Sequence, residues 1–341
     1  MTLPGTMRAA VLDGIHEVRV EERPVPTPAA GEVLVQIGSV GVCGSDVHYY
    51  EHGRIGSHVV EQPLVLGHEA GGRVVAVGDG VPVTRVGQRV SVEPGIPCGR
   101  CRECRTGHYN LCATVRFLAT PPVDGAFCDY LAVPSDFAHA VPDAISDDAA
   151  GLLEPLSVAI WAHHKAGTGA GSSVLVSGAG PIGLLVVAVA RALGATTVVA
   201  TDVDAGRREL AGRHGATHVI DPVAAGALDD VEVDAFVDCS GVEAAVLAGL
   251  AVVRPAGAAV LVGMGADQLA LPVPLVQNRE LRVTGTFRYA NTWPTAIGLA
   301  ASGAVDLDSL VTGAVGLDDV ASALAPDPAE RHVKLVVRPG E

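Results

Sequence analysis

The stretch from residue 173 to residue 202 constrains the chain more than any other. Residues 173–177, SVLVS, form a short apolar, β-branched run, as expected of a strand buried on both faces. It leads into Gly178-Ala179-Gly180-Pro181-Ile182-Gly183, the G-x-G-x-x-G spacing of a dinucleotide-binding turn. The first glycine permits the tight turn, and the second lets backbone approach a pyrophosphate with no Cβ in the way. The third lets the following helix pack closely on the strand. Pro181 suits a first helical turn, and Gly194 suits the position just past the end of a helix over 182–193. A second strand over 196–201 ends in Asp202, about twenty residues past the glycines. An acid there accepts hydrogen bonds from an adenosine ribose and repels a 2′-phosphate, which favours NAD. Arg207 and Arg208 keep NADP open. Glycine-rich turns also occur without a ligand, so the strand, helix and distal acid together carry this reading.

At 341 residues the chain has room for about two domains. Its residues are 49% apolar and only 4% aromatic, enough for a core rich in small aliphatic side chains. A formal charge of −15 argues against nucleic acid or an anionic membrane as partner. No signal-like segment opens the chain, and the apolar run 184–193 is too short for a bilayer and contains Arg191. A cytoplasmic location is therefore expected, where clustered cysteines are more often metal sites than disulfides.

Residues 1–95 read as β-rich, with strand patterns at 8–12, 32–37 and 72–77. This region carries Cys43-Gly44-Ser45-Asp46-Val47-His48 and Gly67-His68-Glu69. Thiol, imidazole and carboxylate are ligands zinc takes, and three of them leave a fourth position open for chemistry. Taken singly, Cys43 could be a packed small residue and His68 a satisfied core histidine. The next element is more specific: Cys98-x2-Cys101-x2-Cys104-x7-Cys112 supplies four thiolates from one short loop. Four such sulfurs can surround one tetrahedral zinc with no open position, a structural site; disulfides or an iron–sulfur cluster are the alternatives. Cys128 and Cys239 read as buried packing residues.

From residue 143 the pattern turns helical. Asp147, Asp148 and Glu154 precede an apolar helix over 156–163, with His163 and His164 expected on its solvated face. Further strands are expected at 217–220, 235–239, 258–262 and 281–285, which makes six with the first two. The turns at Ser240-Gly241 and at Val262-Gly263-Met264-Gly265 should lie at carboxyl ends of strands, where such sheets bind ligands. A segment over 287–341, with a helical run at 295–302 and a strand at 332–337, is expected to return to the first domain.

With these residues laid out, the sequence resembles the zinc-dependent medium-chain dehydrogenases, and within them the sorbitol, xylitol and L-arabinitol dehydrogenase branch. GVCGSDVHYYEHGRIG, VLGHEAGG, LLEPLSVA, SGAGPIG and FRYANTWPTAI carry the likeness, which covers essentially the whole chain. It implies an α/β fold: a doubly wound six-stranded parallel sheet (Rossmann) plus a discontinuous, β-rich GroES-like catalytic domain. The expected boundaries are 1–156 for the catalytic domain with a zinc lobe at about 95–113, 157–286 for the NAD-binding domain, and 287–341 for the return segment. The resemblance implies two zinc ions per chain and NAD. Cys43, His68 and Glu69 would hold the catalytic zinc, with Glu154 holding its water or ligating in some states. Cys98, Cys101, Cys104 and Cys112 would hold the structural one. Ser45 and His48 match proton-relay positions. Tyr50, Ile55, Phe117, Glu154, Arg288 and Tyr289 match substrate positions. Gly178, Gly180, Ile182, Gly183, Asp202, Arg207, Val262, Gly263, Met264, Phe287 and Arg288 match cofactor positions.

The implied reaction is oxidation of a secondary hydroxyl of a sugar alcohol to the ketose, in a homotetramer. A 2,3-butanediol or threonine enzyme of the same family, a metal-free quinone reductase, and an inactive zinc-stabilised binding protein are the competing readings. The two sets of zinc ligands, and the presence together of Cys43, Ser45, His48, His68, Glu69 and Asp202, weigh against the last two.

Overall fold

The computed structural model describes residues 3–265, 267–326 and 330–341. The chain divides into two units, Met1–Glu154 with Asp306–Glu341, and Pro155–Val305.

In the second unit six strands form one parallel sheet. Its order is His218–Ile220, Thr197–Thr201, Ser173–Ser177, Val233–Asp238, Val253–Leu261, Arg282–Gly285. Every neighbouring pair is parallel, and the order reverses between the first and fourth strands in sequence, as in a doubly wound dinucleotide fold. The core strands are apolar because helices cover them: Leu175, Phe236, Leu250 and Val253 are all 1% exposed or less. The strand Ser173–Ser177 coincides with the expected run, and the helix after the turn is Pro181–Ala192, capped by Gly180.

Steric contacts show what each turn glycine is for. Gly178 sits at φ +85°, and a Cβ there would lie 3.0 Å from backbone atoms of Cys239 and Ser240. A Cβ on Gly183 would lie 1.8 Å from the carbonyl oxygen of Gly178. A Cβ on Gly180 would meet nothing within 4 Å. The outer two glycines are thus required by packing; the middle one leaves open backbone that a ligand could approach.

Two expectations fail here. The helix before the sheet is Asp147–Ala166, not a helix beginning after Pro155, so Asp147, Asp148 and Glu154 lie inside it. The two aspartates occupy its first turn, where they complement the helix dipole, and Pro155 is accommodated in the interior. His163 is not on a solvated face. It is 1% exposed, with Nε2 at 2.8 Å from the Val186 carbonyl oxygen and Nδ1 at 2.6 Å from Thr168 Oγ1. Only His164 is exposed. Burial pushes the His163 imidazole down to about 4. Below about pH 6.5 the unfolded chain protonates this histidine while the folded chain does not, so stability falls as pH drops from about 6.5 to 4. The loss should approach ~3 kcal/mol at the acid end. Denaturation midpoints compared between wild type and His163→Gln at pH 7 and pH 4.5 check this; an equal acid loss in both would contradict it.

The first unit is built on a seven-stranded sheet. Its main path is Ala138–Ala140, Arg89–Val92, Glu69–Val77, Glu32–Gly41, Lys334–Val337, Val311–Val315, with Tyr130–Pro134 also paired to Glu32–Gly41. A second sheet joins Glu17–Pro24, Thr6–Gly14 and Leu64–Val65. The buried faces meet in one core that includes Leu12, Val33, Val35, Leu66 and Phe127. The unit is discontinuous because Lys334–Val337 pairs antiparallel with the end of Glu32–Gly41, Val336 opposite Gly41. Residues 287–305 do not belong to it, contrary to the expected boundary. Their helix, Trp293–Ala301, buries Trp293 and Ala296 and stays with the parallel sheet, so the crossing comes at Val305/Asp306. An apolar helix carries no mark of which core it serves.

Candidate active site and metal centres

In the first unit, Glu32–Gly41 ends beside Glu69, its register partner at Gly41, and runs on into Cys43. Cys43 is the N-cap of the helix Gly44–His52. Gly67, at φ +85°, turns the neighbouring loop so that His68 and Glu69 follow; a Cβ there would lie 2.6 Å from the Phe127 ring. Ligand atoms of Cys43, His68 and Glu69 all lie within 4.8 Å of one another.

Asp46, which sequence reasoning did not single out, ties this arrangement together. Its side chain is fully buried; Oδ2 accepts from the Cys43 N–H at 2.9 Å and Oδ1 from the Gly67 N–H at 3.0 Å. Oδ1 also lies 3.7 Å from His68 Nδ1. Burial alone would lower the His68 imidazole, but the charges of Asp46 and Cys43 outweigh it and hold the ring well above its ordinary value. The Cys-x-x-Asp spacing at a helix start is the signal that could have found Asp46, since it is a capping box.

Glu69 is 1% exposed; Oε1 accepts from Lys334 Nζ at 2.7 Å, and Oε2 has no hydrogen-bond partner. A buried carboxylate oxygen left unpaired is costly, and a cation is the partner that suits it. The donor set of thiol, imidazole and carboxylate therefore fits zinc. Lys334, also missed from sequence, is 5% exposed and donates as well to the Val42 carbonyl at 2.8 Å. Burial would lower its ammonium, but Glu69, Cys43 and Glu154 raise it above its ordinary value. Glu154 is 5% exposed and stands outside the close trio of ligand atoms.

Ser45 and His48 lie three residues apart on the helix Gly44–His52, so they share a face; Ser45 is half-buried and His48 exposed. The His48 ring meets His52 edge-on at 5.2 Å. Tyr50 is buried against His16, Ile55 is half-buried, and the Phe117 ring lies 5.5 Å from the His68 ring.

The four-cysteine loop is assembled as a metal knuckle. Cys98 and Cys104 sulfurs are 3.9 Å apart and those of Cys101 and Cys104 3.3 Å, with all seven cysteines free. Zn–S bonds of about 2.3 Å in a tetrahedron give S···S edges of about 3.8 Å. Backbone N–H groups of Cys98, Cys101 and Cys104 point at sulfurs of Cys112, Cys98 and Cys101. N–H groups of Arg100 and Cys101 bring the Cys98 thiol down to about 6. Buried Glu93 braces the loop, accepting from Tyr109 at 2.7 Å and lying 2.8 Å from His139 Nε2. Burial pushes the Cys128 thiol up to about 12 and raises Cys239, as befits packing residues.

In the second unit Asp202 is 8% exposed. Its Oδ2 accepts from the Ala179 N–H at 2.8 Å and its Oδ1 from the Asp204 N–H at 2.9 Å. The acid therefore shapes the glycine turn as well as presenting charge at its mouth. Arg207 Nη1 lies 4.0 Å from Asp202 and is exposed, whereas Arg208 is committed to the Asp202 carbonyl and to Asp221. Ile182 is half-buried in the first helical turn. The turn at Ser240-Gly241 packs on Val262-Gly263-Met264-Gly265: a Cβ on Gly263 would come within 2.2 Å of the Gly241 nitrogen. Asp238, another residue missed from sequence, accepts from Ser177 Oγ at 3.1 Å and from the Gly241 N–H at 3.1 Å. Met264 and Phe287 are exposed; Arg288 stacks on the Phe287 ring at 4.7 Å, and Tyr289 is buried edge-on to Trp293.

These features define a two-unit dehydrogenase with one nucleotide turn and two zinc-type ligand sets. The alcohol dehydrogenase GroES-like domain family matches residues 29–143, and the zinc-binding dehydrogenase family matches 181–302. The chain belongs to the zinc-dependent medium-chain dehydrogenases. It is 44% identical to the sorbitol dehydrogenase of Bacillus subtilis (strain 168), over 95% of this chain and 94% of that protein. It is 42% identical to D-xylulose reductase A of Aspergillus oryzae, over 96% of this chain and 95% of that one. Among solved structures, a short chain alcohol dehydrogenase of Escherichia coli CFT073 complexed with NADH superposes with a TM-score of 0.91. It is 29% identical, over 98% of this chain and all of that one.

Proposed function

We propose that the protein oxidises a secondary hydroxyl of a sugar alcohol of the sorbitol, xylitol or arabinitol type to the ketose, with NAD. The observation that carries this is the Cys43–His68–Glu69 trio in a chain so similar to sorbitol dehydrogenase and D-xylulose reductase. When bound, zinc supplies a Lewis acid that lowers the pKa of a substrate hydroxyl, and NAD supplies the hydride acceptor. Cys43, His68 and Glu69 hold the metal. Ser45 and His48, on one helix face, pass the hydroxyl proton outward, His48 being the exposed end. Phe117 beside His68 keeps water from that side of the site. Glu154 is the reserve carboxylate. Asp202 selects NAD, and the commitment of Arg208 elsewhere supports this.

The test is NADH formation from NAD with sorbitol, xylitol, L-arabinitol, 2,3-butanediol and threonine. Turnover of the polyols above the other two supports the reading; preference for butanediol or threonine contradicts it. Among the described residues no helix is long and apolar enough to cross a membrane. A cytoplasmic location is part of the proposal, supported by the free thiols of the cysteine loop. So is a homotetramer in which the sheet-edge strand Arg282–Gly285 pairs with that of another copy. Light scattering that returned a monomer of 34.6 kDa would contradict the latter.

A further inference from the structure

We propose that Lys334 is a positioning residue of the catalytic metal centre, holding the Glu69 carboxylate in place for a divalent cation. The proposal rests on the reading that Cys43, His68 and Glu69 bind that cation. It begins in the sheet register. Gly41 pairs with Glu69 on one side and with Val336 of the return strand on the other. The register brings Lys334, 265 residues away in sequence, onto Glu69. Lysine is almost never fully buried unless paired, and this one is 5% exposed.

Two of its three donors are spent, on Glu69 Oε1 at 2.7 Å and on the Val42 carbonyl at 2.8 Å. One ammonium therefore bridges the carboxylate ligand and the backbone just before the thiol ligand. With Oε1 held, the carboxylate cannot swing, and Oε2 stays buried without a partner. A thiolate and a carboxylate crowded within 4.8 Å would repel each other. A buried cation beside them offsets that repulsion and keeps the ligands together. The same charge also repels an incoming cation, so two effects of opposite sign compete. Positioning outweighs repulsion.

The test is zinc affinity, measured by chelator competition on wild type, Lys334→Met, Lys334→Arg, Glu69→Gln and the Lys334→Met/Glu69→Gln double variant. The zinc of the four-cysteine loop serves as the internal reference. Loss of such an outer partner should weaken binding roughly 10–100-fold in Lys334→Met, with an intermediate loss in Lys334→Arg. The visible spectrum of the cobalt-substituted site should shift in both. Because Lys334 acts through Glu69, Lys334→Met should cost nothing more once Glu69 is Gln. Unchanged or tighter binding in Lys334→Met, or the same loss in the Glu69→Gln background, overturns the proposal. Should Lys334→Met fail to fold, Lys334→Arg decides: wild-type affinity with an unshifted spectrum overturns it. A wild type that binds only one zinc would instead overturn the underlying metal assignment.

Discussion

Replacing Cys43 by serine should abolish NADH formation and lower the zinc content from two ions per chain to one. Cys43 supplies the one thiol of the proposed ligand trio, and its backbone N–H is already held by Asp46. The substitution therefore leaves the loop in place while removing the sulfur. A Lewis acid is worth several kcal/mol of transition-state stabilisation, so turnover should fall by about a thousandfold or more. Zinc analysis, steady-state rates and the unfolding midpoint, taken together, check this. The midpoint should move little, because Cys43 is only half-buried and the substitution leaves the four-cysteine loop untouched. Retained activity with one zinc would mean that the trio is not the metal site.

Replacing Asp46 by alanine should destabilise the first unit and weaken its candidate metal centre together. Two N–H groups, the buried one of Gly67 and the half-buried one of Cys43, would lose their acceptor. Each fully buried unsatisfied donor costs about 1–3 kcal/mol, so the loss should stay below ~6 kcal/mol, with the half-buried Cys43 N–H contributing the smaller share. The same change removes the carboxylate that lies 3.7 Å from His68 Nδ1 and so loosens the hold on that ring. Ligands held loosely bind metal some 10–100-fold more weakly. Asp46→Asn, which keeps an acceptor oxygen but removes the charge, should lose less stability than Asp46→Ala. Denaturant titration and zinc affinity measured on both variants check the order; equal stability of Asp46→Ala and wild type would contradict it.

What was legible in the sequence was what is local. The glycine turn, its flanking strand and helix, and Asp202 lie within one βαβ unit, so spacing alone located them. The four cysteines share one loop, and their spacing carries their chemistry. The partners of those groups were not legible, because burial and long-range pairing decide them. Lys334 reaches Glu69 only through the register of the return strand, and nothing around residue 334 marks it. Asp238 looks like the polar end of an apolar strand, yet it secures Ser177 and Gly241. His163, next to His164, reads as one of two solvated histidines, but it faces the next helix and is spent on Val186 and Thr168. The helix expected over 156–163, after Pro155, in fact runs through that proline from Asp147 to Ala166. Asp46 is the exception, since its capping-box spacing is a local signal.

In the proposed reaction, hydride transfer from a polyol depends on a metal held by Cys43, His68 and Glu69. The most direct measurement is NADH formation with sorbitol or xylitol while zinc is removed by a chelator and then restored. Activity should fall with loss of the more labile zinc equivalent, since the trio offers three protein ligands against four in the cysteine loop. Activity should return when zinc is added back. Full polyol turnover in protein stripped of both zinc ions would contradict it.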